Sequence, residues 1–151
     1  MDLDLTIITP ERKHHLPHLR QFVFQSLQGE AGLLPGHAPL LSLVDTGVLR
    51  AFVSGVDYAN PPISFAIGQG SIRAIDNHAV MLTQRAERED ELDADAARAE
   101  LDEAEATITT LDPILDAEAH LQCLESARYA ETVIALHEDI ATRHPDLTLK
   151  P

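Results

Sequence analysis

The sequence predicts a β-sandwich N-terminal domain followed by a C-terminal antiparallel α-helical hairpin. Residues 1–85 consist of short apolar runs separated by turns that contain Gly, Pro and Asn, a pattern typical of a β-sandwich or barrel. Residues 86–111 are rich in Ala, Glu, Asp and Leu and contain no Gly or Pro, which favours a helix. We therefore predict a sandwich over residues 1–85 and a hairpin over residues 86–151.

The strands of the sandwich are predicted from alternation of apolar and polar residues. Leu3, Leu5 and Ile7 alternate with polar neighbours, as a half-buried strand requires. Phe22 and Phe24 alternate with glutamines in the same way. Further strands are predicted at Val48–Val53, Ile63–Ile67, Ser71–Ile75 and Val80–Thr83.

Three histidines precede the second predicted strand. His14, His15 and His18 have a spacing that can bind a metal ion, and Glu11 is the one acidic residue nearby. Pro17 interrupts any helix that would align the imidazoles. We therefore predict a polar loop here, with a metal site as the alternative.

The hairpin is predicted from two apolar stripes at helical spacing. The first consists of Ala94, Ala97, Leu101, Ala104, Ile108 and Leu111. Asp112 can cap a second helix with Pro113 at its first position, and that helix is expected to run to about Arg143. Its stripe is Ala119, Cys123, Ala127, Ala130, Ile134 and Ile140. Because alanine buries little apolar area, we expect a marginally stable hairpin that can change conformation.

The charge distribution excludes one broad class of function. The formal net charge is -14, and residues 86–151 carry 18 acidic against 5 basic side chains. Such a chain does not bind nucleic acid through phosphate contacts, which need clustered Lys and Arg. No nucleophile setting and no phosphate-binding glycine loop is found, so we predict neither an enzyme nor a metal protein. We expect a cytoplasmic protein, since no signal peptide or membrane-length apolar run is visible.

A glycine- and proline-rich motif carries the most specific signal. Residues 29–43 read Gly-Glu-Ala-Gly-Leu-Leu-Pro-Gly-His-Ala-Pro-Leu-Leu-Ser-Leu. This segment resembles the signature loop of the epsilon subunits of rotary F-type ATP synthases, and the resemblance covers most of residues 3–108. Its signature residues are Gly29, Gly32, Pro35, Gly36 and Pro39. The alternative reading of these residues is a tight sandwich turn with no further role.

The resemblance implies a mechanical role without catalysis. Family members bind the gamma subunit, sit on the c-ring and turn with both during proton-driven ATP synthesis. They are peripheral to the membrane, which for a bacterial protein means the cytoplasmic face of the inner membrane. By the same resemblance, Glu30 and His37 are expected to contact the c-ring.

The hairpin of many relatives extends into the alpha/beta hexamer and blocks ATP hydrolysis. In some it also binds ATP through an Asp and an Arg, which a shifted register places here at Asp95 and Arg98. The alternative is an ordinary intrahelical Asp–Arg pair. Basic residues of inhibitory relatives meet acidic positions on beta, so this acidic hairpin is expected to inhibit weakly. The competing class is a stand-alone protein-binding module that docks a basic partner on its acidic helices.

Overall fold

The computed structural model describes residues 1–57 and 59–143. The chain divides into two compact units, Met1–Arg88 and Glu89–Pro151. The boundary lies three residues after the predicted one at residue 85, because Ala86–Arg88 forms a short strand that pairs with Ile63–Ile67. The first unit is therefore a sandwich that includes these three residues.

The sandwich unit contains nine strands among the described residues. They are β1 Leu3–Ile8, β2 Lys13–Ser26, β3 Gly29–Leu33, β4 Leu40–Val44, β5 Gly47–Val53, β6 Ile63–Ile67, β7 Gly70–Ile75, β8 His78–Thr83 and β9 Ala86–Arg88. One layer has the order β4-β7-β8-β1 and the other the order β3-β2-β5-β6-β9. The long strand β2 joins them, since it pairs with β1 near its start and with β3 and β5 near its end. The β1–β8 pair is parallel.

The core lies between the two layers and follows the alternation seen in the sequence. Leu3, Leu5 and Ile7 on β1 are fully buried, as the period of two predicts. In the layer that contains β2 and β6, Phe22 and Phe65 are also fully buried and contribute large side chains to the core. The rest of the core consists of smaller aliphatic side chains, among them Leu49, Ile67, Ile72 and Met81.

Three segments predicted as loops or turns are strands. The predicted polar loop at His14, His15 and His18 is wrong, because β2 begins at Lys13 and pairs there with β1. The strand accommodates Pro17 and the positive φ of His18 by a shift of register against β1 and β5. The signature segment, which resembles a loop of the family, also contains β3 and β4.

Over its described residues, 89–143, the second unit contains two helices, α1 Ala94–Ile108 and α2 Ala117–Arg143. α1 begins later than the change of composition at residue 86, because Asp93 caps it: the Asp93 carboxylate accepts the Ala96 N–H at 2.9 Å. The predicted small-residue stripe of α1 is confirmed for its alanines, since Ala94, Ala97 and Ala104 are buried.

The stripe of α2 differs from the prediction. Of the predicted stripe, Ala130 is buried as expected and Ala119 is exposed, whereas the buried Tyr129, Val133 and Leu136 lie outside that stripe. Larger side chains therefore fill the space beside the alanines of α1, so the expectation of two alanine-rich faces is wrong for α2. Cys123, expected in the core, is half-buried. The predicted end of the helix before His144 and Pro145 lies outside the described residues.

The turn between the two helices is held by Asp112. Its carboxylate accepts the N–H groups of Ile114 at 2.8 Å and Leu115 at 2.9 Å, as an N-cap does. Its carbonyl accepts the Asp116 N–H at 2.9 Å, which closes one helical turn, but α2 itself begins at Ala117, four residues after the predicted first position at Pro113. The bonds from Leu115 and Ile114 lower the pKa of Asp112 below its ordinary value.

This cap predicts a pH dependence of hairpin stability. A carboxylate with a lowered native pKa stabilises the fold at neutral pH, and this stabilisation is lost as the pH falls through that native pKa. Asp112→Ala should therefore unfold at lower temperature than the natural chain at pH 7, with the gap closing in acid below about pH 4. Circular dichroism melts measure it, and Asp112→Asn is the matched control because its amide oxygen accepts at every pH. A gap between the alanine variant and the natural chain that stays constant with pH contradicts the assignment.

Candidate interaction surfaces

The signature segment contains a tight turn between β3 and β4. The His37 N–H donates to the Leu34 carbonyl at 3.2 Å and closes the turn. Pro35 fixes φ at its first central position, and Gly36 has a φ of 82° at the second, as a type II turn requires. The loop proper is residues 34–39. It holds three of the five predicted signature residues, and β3 holds the other two: Pro35, Gly36 and Pro39 in the loop, Gly29 and Gly32 in the strand.

Glu30 lies on an edge of the sandwich. Its strand β3 pairs with β2 and with no other strand among residues 1–57 and 59–143. The Glu30 side chain is 63% exposed, and its Oε2 lies 3.7 Å from Nη1 of Arg50. An ion pair this exposed contributes little to stability. The carboxylate therefore faces solvent, where a partner can reach it.

The side chain of His37 is fixed by a hydrogen bond within the loop. Its ring Nδ1 lies 2.7 Å from the Ala38 carbonyl oxygen, which makes Nδ1 the protonated nitrogen of the neutral ring. The other ring nitrogen, Nε2, is buried and makes no hydrogen bond within the described residues. The imidazole thus stabilises the conformation of the loop. Glu30 is the second residue of β3, whereas His37 lies in the loop that follows the end of the strand at Leu33, so most of the strand separates the two residues.

One sheet of the sandwich carries an exposed apolar surface. We call it the outer face and define it by Leu41, Leu43, Ile75, Val80 and Leu82, which are 79%, 58%, 41%, 40% and 52% exposed. They lie on β4, β7 and β8, which are adjacent in the sheet. Leu43 is opposite Ser71 and Ser71 is opposite Leu82, so the two leucines share one row across three strands. Clustered exposed apolar residues of this kind mark interaction sites.

The outer face is not predicted from the sequence. Leu41 and Leu43 belong to the signature motif, but β4 is apolar at successive positions. Leu40 and Val44 point inward, whereas Leu41 and Leu43 point outward. A strand that is apolar on both sides is usually covered on both sides, and this signal was available in the sequence.

The three histidines of β2 do not converge. The His14 ring packs edge-on against Phe65 with centroids 5.1 Å apart, whereas His15 and His18 are exposed. The His18 Nδ1 lies 3.3 Å from the carboxylate of Asp2. The pKa of Asp2 is lowered, chiefly because its carboxylate accepts the Ser54 hydroxyl at 2.6 Å. Among residues 1–57 and 59–143, no three His, Cys, Asp or Glu side chains are placed to hold a metal ion.

Asp95 and Arg98 lie in the first turns of α1. Arg98 Nη1 is 3.2 Å from Asp95 Oδ1, and both side chains are more than half exposed. This is the intrahelical pair that the sequence offered as the alternative to ATP binding. A bound nucleotide would have to compete with Asp95 for the guanidinium group.

Apolar side chains pack between the two helices, and a polar bond also joins them. The Ser126 hydroxyl of α2 donates to the Glu100 carboxylate of α1 at 2.7 Å. Large apolar side chains remain exposed near the start of α2 and in the turn before it: Ile114, Leu115, Leu121 and Leu124. Within the described residues, neither helix is both long enough and apolar enough to cross a membrane.

Comparison with known families and proteins identifies the class. Residues 2–89 match the family model described as ATP synthase, Delta/Epsilon chain, beta-sandwich domain. The chain is 35% identical over 105 residues to the ATP synthase epsilon chain of Synechococcus elongatus, covering 70% of this chain and 73% of that one. It is 32% identical over 111 residues to that of Carboxydothermus hydrogenoformans, covering 74% and 79%.

Solved structures share the fold at lower identity. A chain of the mitochondrial ATP synthase of Euglena gracilis, solved with OSCP, F1 and c-ring, superposes with a TM-score of 0.70 at 20% identity, covering 89% of this chain and 80% of that one. A chain of the Tetrahymena thermophila central stalk and c-ring superposes with a TM-score of 0.59 at 14% identity, covering 93% and 96%.

The chain belongs to the ATP synthase epsilon-chain family. Members of this family are non-catalytic accessory subunits of the synthase, which agrees with the absence of a catalytic motif in the sequence. The sandwich carries the family match, and the sequence prediction of the family from residues 29–43 is confirmed.

Proposed function

We propose that this epsilon chain couples the gamma subunit to the c-ring, with the outer face as its gamma contact. The observation that carries the proposal is the exposed row from Leu43 across Ser71 to Leu82. Apolar surface of this kind is typical of permanent interfaces, which resemble a domain core divided in two. The c-ring presents polar loops in this family, so the outer face fits gamma better.

The c-ring contact is proposed for the β3 edge and the loop that follows it. Glu30 offers an exposed carboxylate, and Arg50 beside it offers a half-buried cation. Both groups suit polar loops, because solvated charges bind such surfaces without a large desolvation cost. His37 contributes by holding the loop in shape through its bond to Ala38.

A co-purification experiment separates this function from that of a stand-alone binding module. A tagged copy of the chain, expressed with the other synthase subunits, should purify with gamma. A module that uses its acidic helices for a basic partner would purify without gamma. We further propose a peripheral position, through the complex, on the cytoplasmic face of the bacterial inner membrane. A tagged copy recovered in the soluble fraction when the rest of the synthase is membrane-bound would contradict it.

The hairpin is proposed to contact the alpha/beta hexamer only weakly. Residues 112–151 carry 8 acidic side chains against Arg128, Arg143 and Lys150, and acidic positions on beta would repel such a segment. The exposed apolar residues near the start of α2 leave a contact of another kind open to it. ATP remains a proposed regulatory ligand through Asp95 and Arg98, in competition with the pair those two residues already form.

Removing residues 112–151 should therefore leave ATP hydrolysis by the whole complex close to its original rate. The physical reason is that a segment repelled by beta stabilises no blocked state. The measurement is ATPase activity of the purified complex, after confirming by gel that the shortened chain is still incorporated. A large rise in hydrolysis would show that the hairpin inhibits and would overturn this part of the proposal.

A further inference from the structure

In the type II turn at Pro35 and Gly36, the backbone N–H of Gly36 makes no hydrogen bond within the turn. In such a turn, the N–H of the fourth residue bonds back to the first carbonyl, as His37 does to Leu34. The N–H of Gly36 has no acceptor inside the turn. Gly36 is exposed and water could accept this N–H, so an acceptor from the protein serves to hold the loop in one position.

That partner is the side chain of Asn77. Its Oδ1 accepts the Gly36 N–H at 2.7 Å, from a position 41 residues away in the chain. A backbone N–H can only donate, so the carbonyl oxygen of the amide must face Gly36, which fixes the orientation of the side chain. The bond connects the signature loop to the turn between β7 and β8.

Asn77 is itself held in place. Ile75 and His78 pair across the β7–β8 hairpin, and both residues between them have positive φ, 50° at Asp76 and 63° at Asn77. This is the backbone of a two-residue hairpin turn, which Asn tolerates well. The Asn77 carbonyl also accepts the Asp4 N–H at 2.9 Å, which ties the turn to β1.

We propose that Asn77 is a positioning residue that fixes the signature loop to the sheet bearing the outer face. β7 and β8 carry Ile75, Val80 and Leu82, so the amide links the surface proposed for gamma to the loop proposed for the c-ring. The mechanical part of this inference rests on the proposed function. The structural part, that Asn77 holds the loop, does not depend on it.

The test uses two substitutions at Asn77, and both new residues tolerate the positive φ of the turn. Asn77→Gly permits the positive φ and removes the acceptor, whereas Asn77→Asp keeps an oxygen at the same place. In the full chain, we expect the Gly36 amide to exchange with solvent roughly three- to tenfold faster in the glycine variant, the effect of one lost hydrogen bond. The aspartate variant should exchange at nearly the original rate. Amides of Ile72 and Met81, which are fully buried, should be unchanged in both.

Three results distinguish failure of the positioning role, failure of the mechanical link and failure of the proposed function. Equal Gly36 exchange in the glycine variant and the natural chain would overturn the positioning role. In the reconstituted complex, the glycine variant should pump fewer protons per ATP hydrolysed, and the aspartate variant should pump normally. Faster Gly36 exchange with unchanged pumping would overturn the mechanical link alone. Failure of the natural chain to join gamma would overturn the proposed function and leave the exchange result for Asn77 standing.

Discussion

Replacing Leu43 and Leu82 together with glutamate should abolish co-purification of the chain with the gamma subunit. The two leucines are 58% and 52% exposed and share a row with Ser71 between them. Because about half of each leucine is still exposed, covering the rest in an interface contributes about 0.8–1.5 kcal/mol per leucine, and a buried unpaired carboxylate adds a further cost. Losing both contacts should weaken gamma binding by at least about a hundredfold.

The fold should survive this double substitution, because both side chains point away from the core. The neighbours that do point inward, Val44 and Met81, are untouched and almost fully buried. Thermal unfolding of the double variant should therefore match that of the natural chain. This separates loss of an interface from loss of the structure.

Leu27→Glu provides the matched control. Leu27 is 58% exposed, the same fraction as Leu43, but it lies in the turn between β2 and β3 rather than on the outer face. The control should purify with gamma as well as the natural chain does. Equal loss in the control and the double variant, or retention in both, would remove the outer face as the gamma contact.

The strands of the sandwich could be predicted from the sequence where one face of the strand is buried and the other is exposed to solvent. β1 shows this best, since Leu3, Leu5 and Ile7 alternate with Asp4 and Thr6 and all three are fully buried. β3 and β4 were not predicted as strands. Glycines and prolines in and around β3, and apolar residues on both faces of β4, obscure the alternation. The first part of β2 was not predicted as a strand, because Pro17 and three histidines are unusual in one. A change of register against β1 accommodates them.

The parts of the site that depend on tertiary contacts could not be read from the sequence. Glu30 was identified from the motif, and the structure places it on an exposed edge. The bond from Gly36 to Asn77 spans 41 residues and has no local signature. The tautomer of His37 likewise depends on a carbonyl that only the folded loop brings within reach of the ring.

The hairpin shows a different limit of sequence reasoning. Helical spacing alone gave a stripe of small residues on α2, but several apolar stripes of that helix fit the same period. Packing against the alanines of α1 selects the stripe with Tyr129 and Leu136, because small residues leave room for large ones opposite them. The choice belongs to the pair of helices and cannot be made from one helix alone.

Gly70→Ala should destabilise the sandwich more than any exposed substitution. A Cβ at Gly70 would lie 1.9 Å from the Leu82 carbonyl oxygen and 2.8 Å from the Thr83 Cα, both backbone atoms of β8. No rotamer change relieves a clash with backbone, so β8 must move away from β7. Overpacking of this kind costs about 3 kcal/mol or more, and a unit of this size should then melt more than about 10 °C lower.

Gly32→Ala is the control for this substitution, because its new Cβ would meet its nearest atoms, in the side chains of Gln21 and Val23, at an ordinary 3.7 Å. Its stability should stay within about 0.5 kcal/mol of the natural chain. Thermal unfolding followed by the amide resonances of β1 and β8 measures both variants, and equal melting of the two would contradict the close approach of β7 and β8 at Gly70. Since Leu82 lies on the displaced strand, a Gly70 variant that still folds should also bind gamma more weakly, whereas the Gly32 variant should bind it normally.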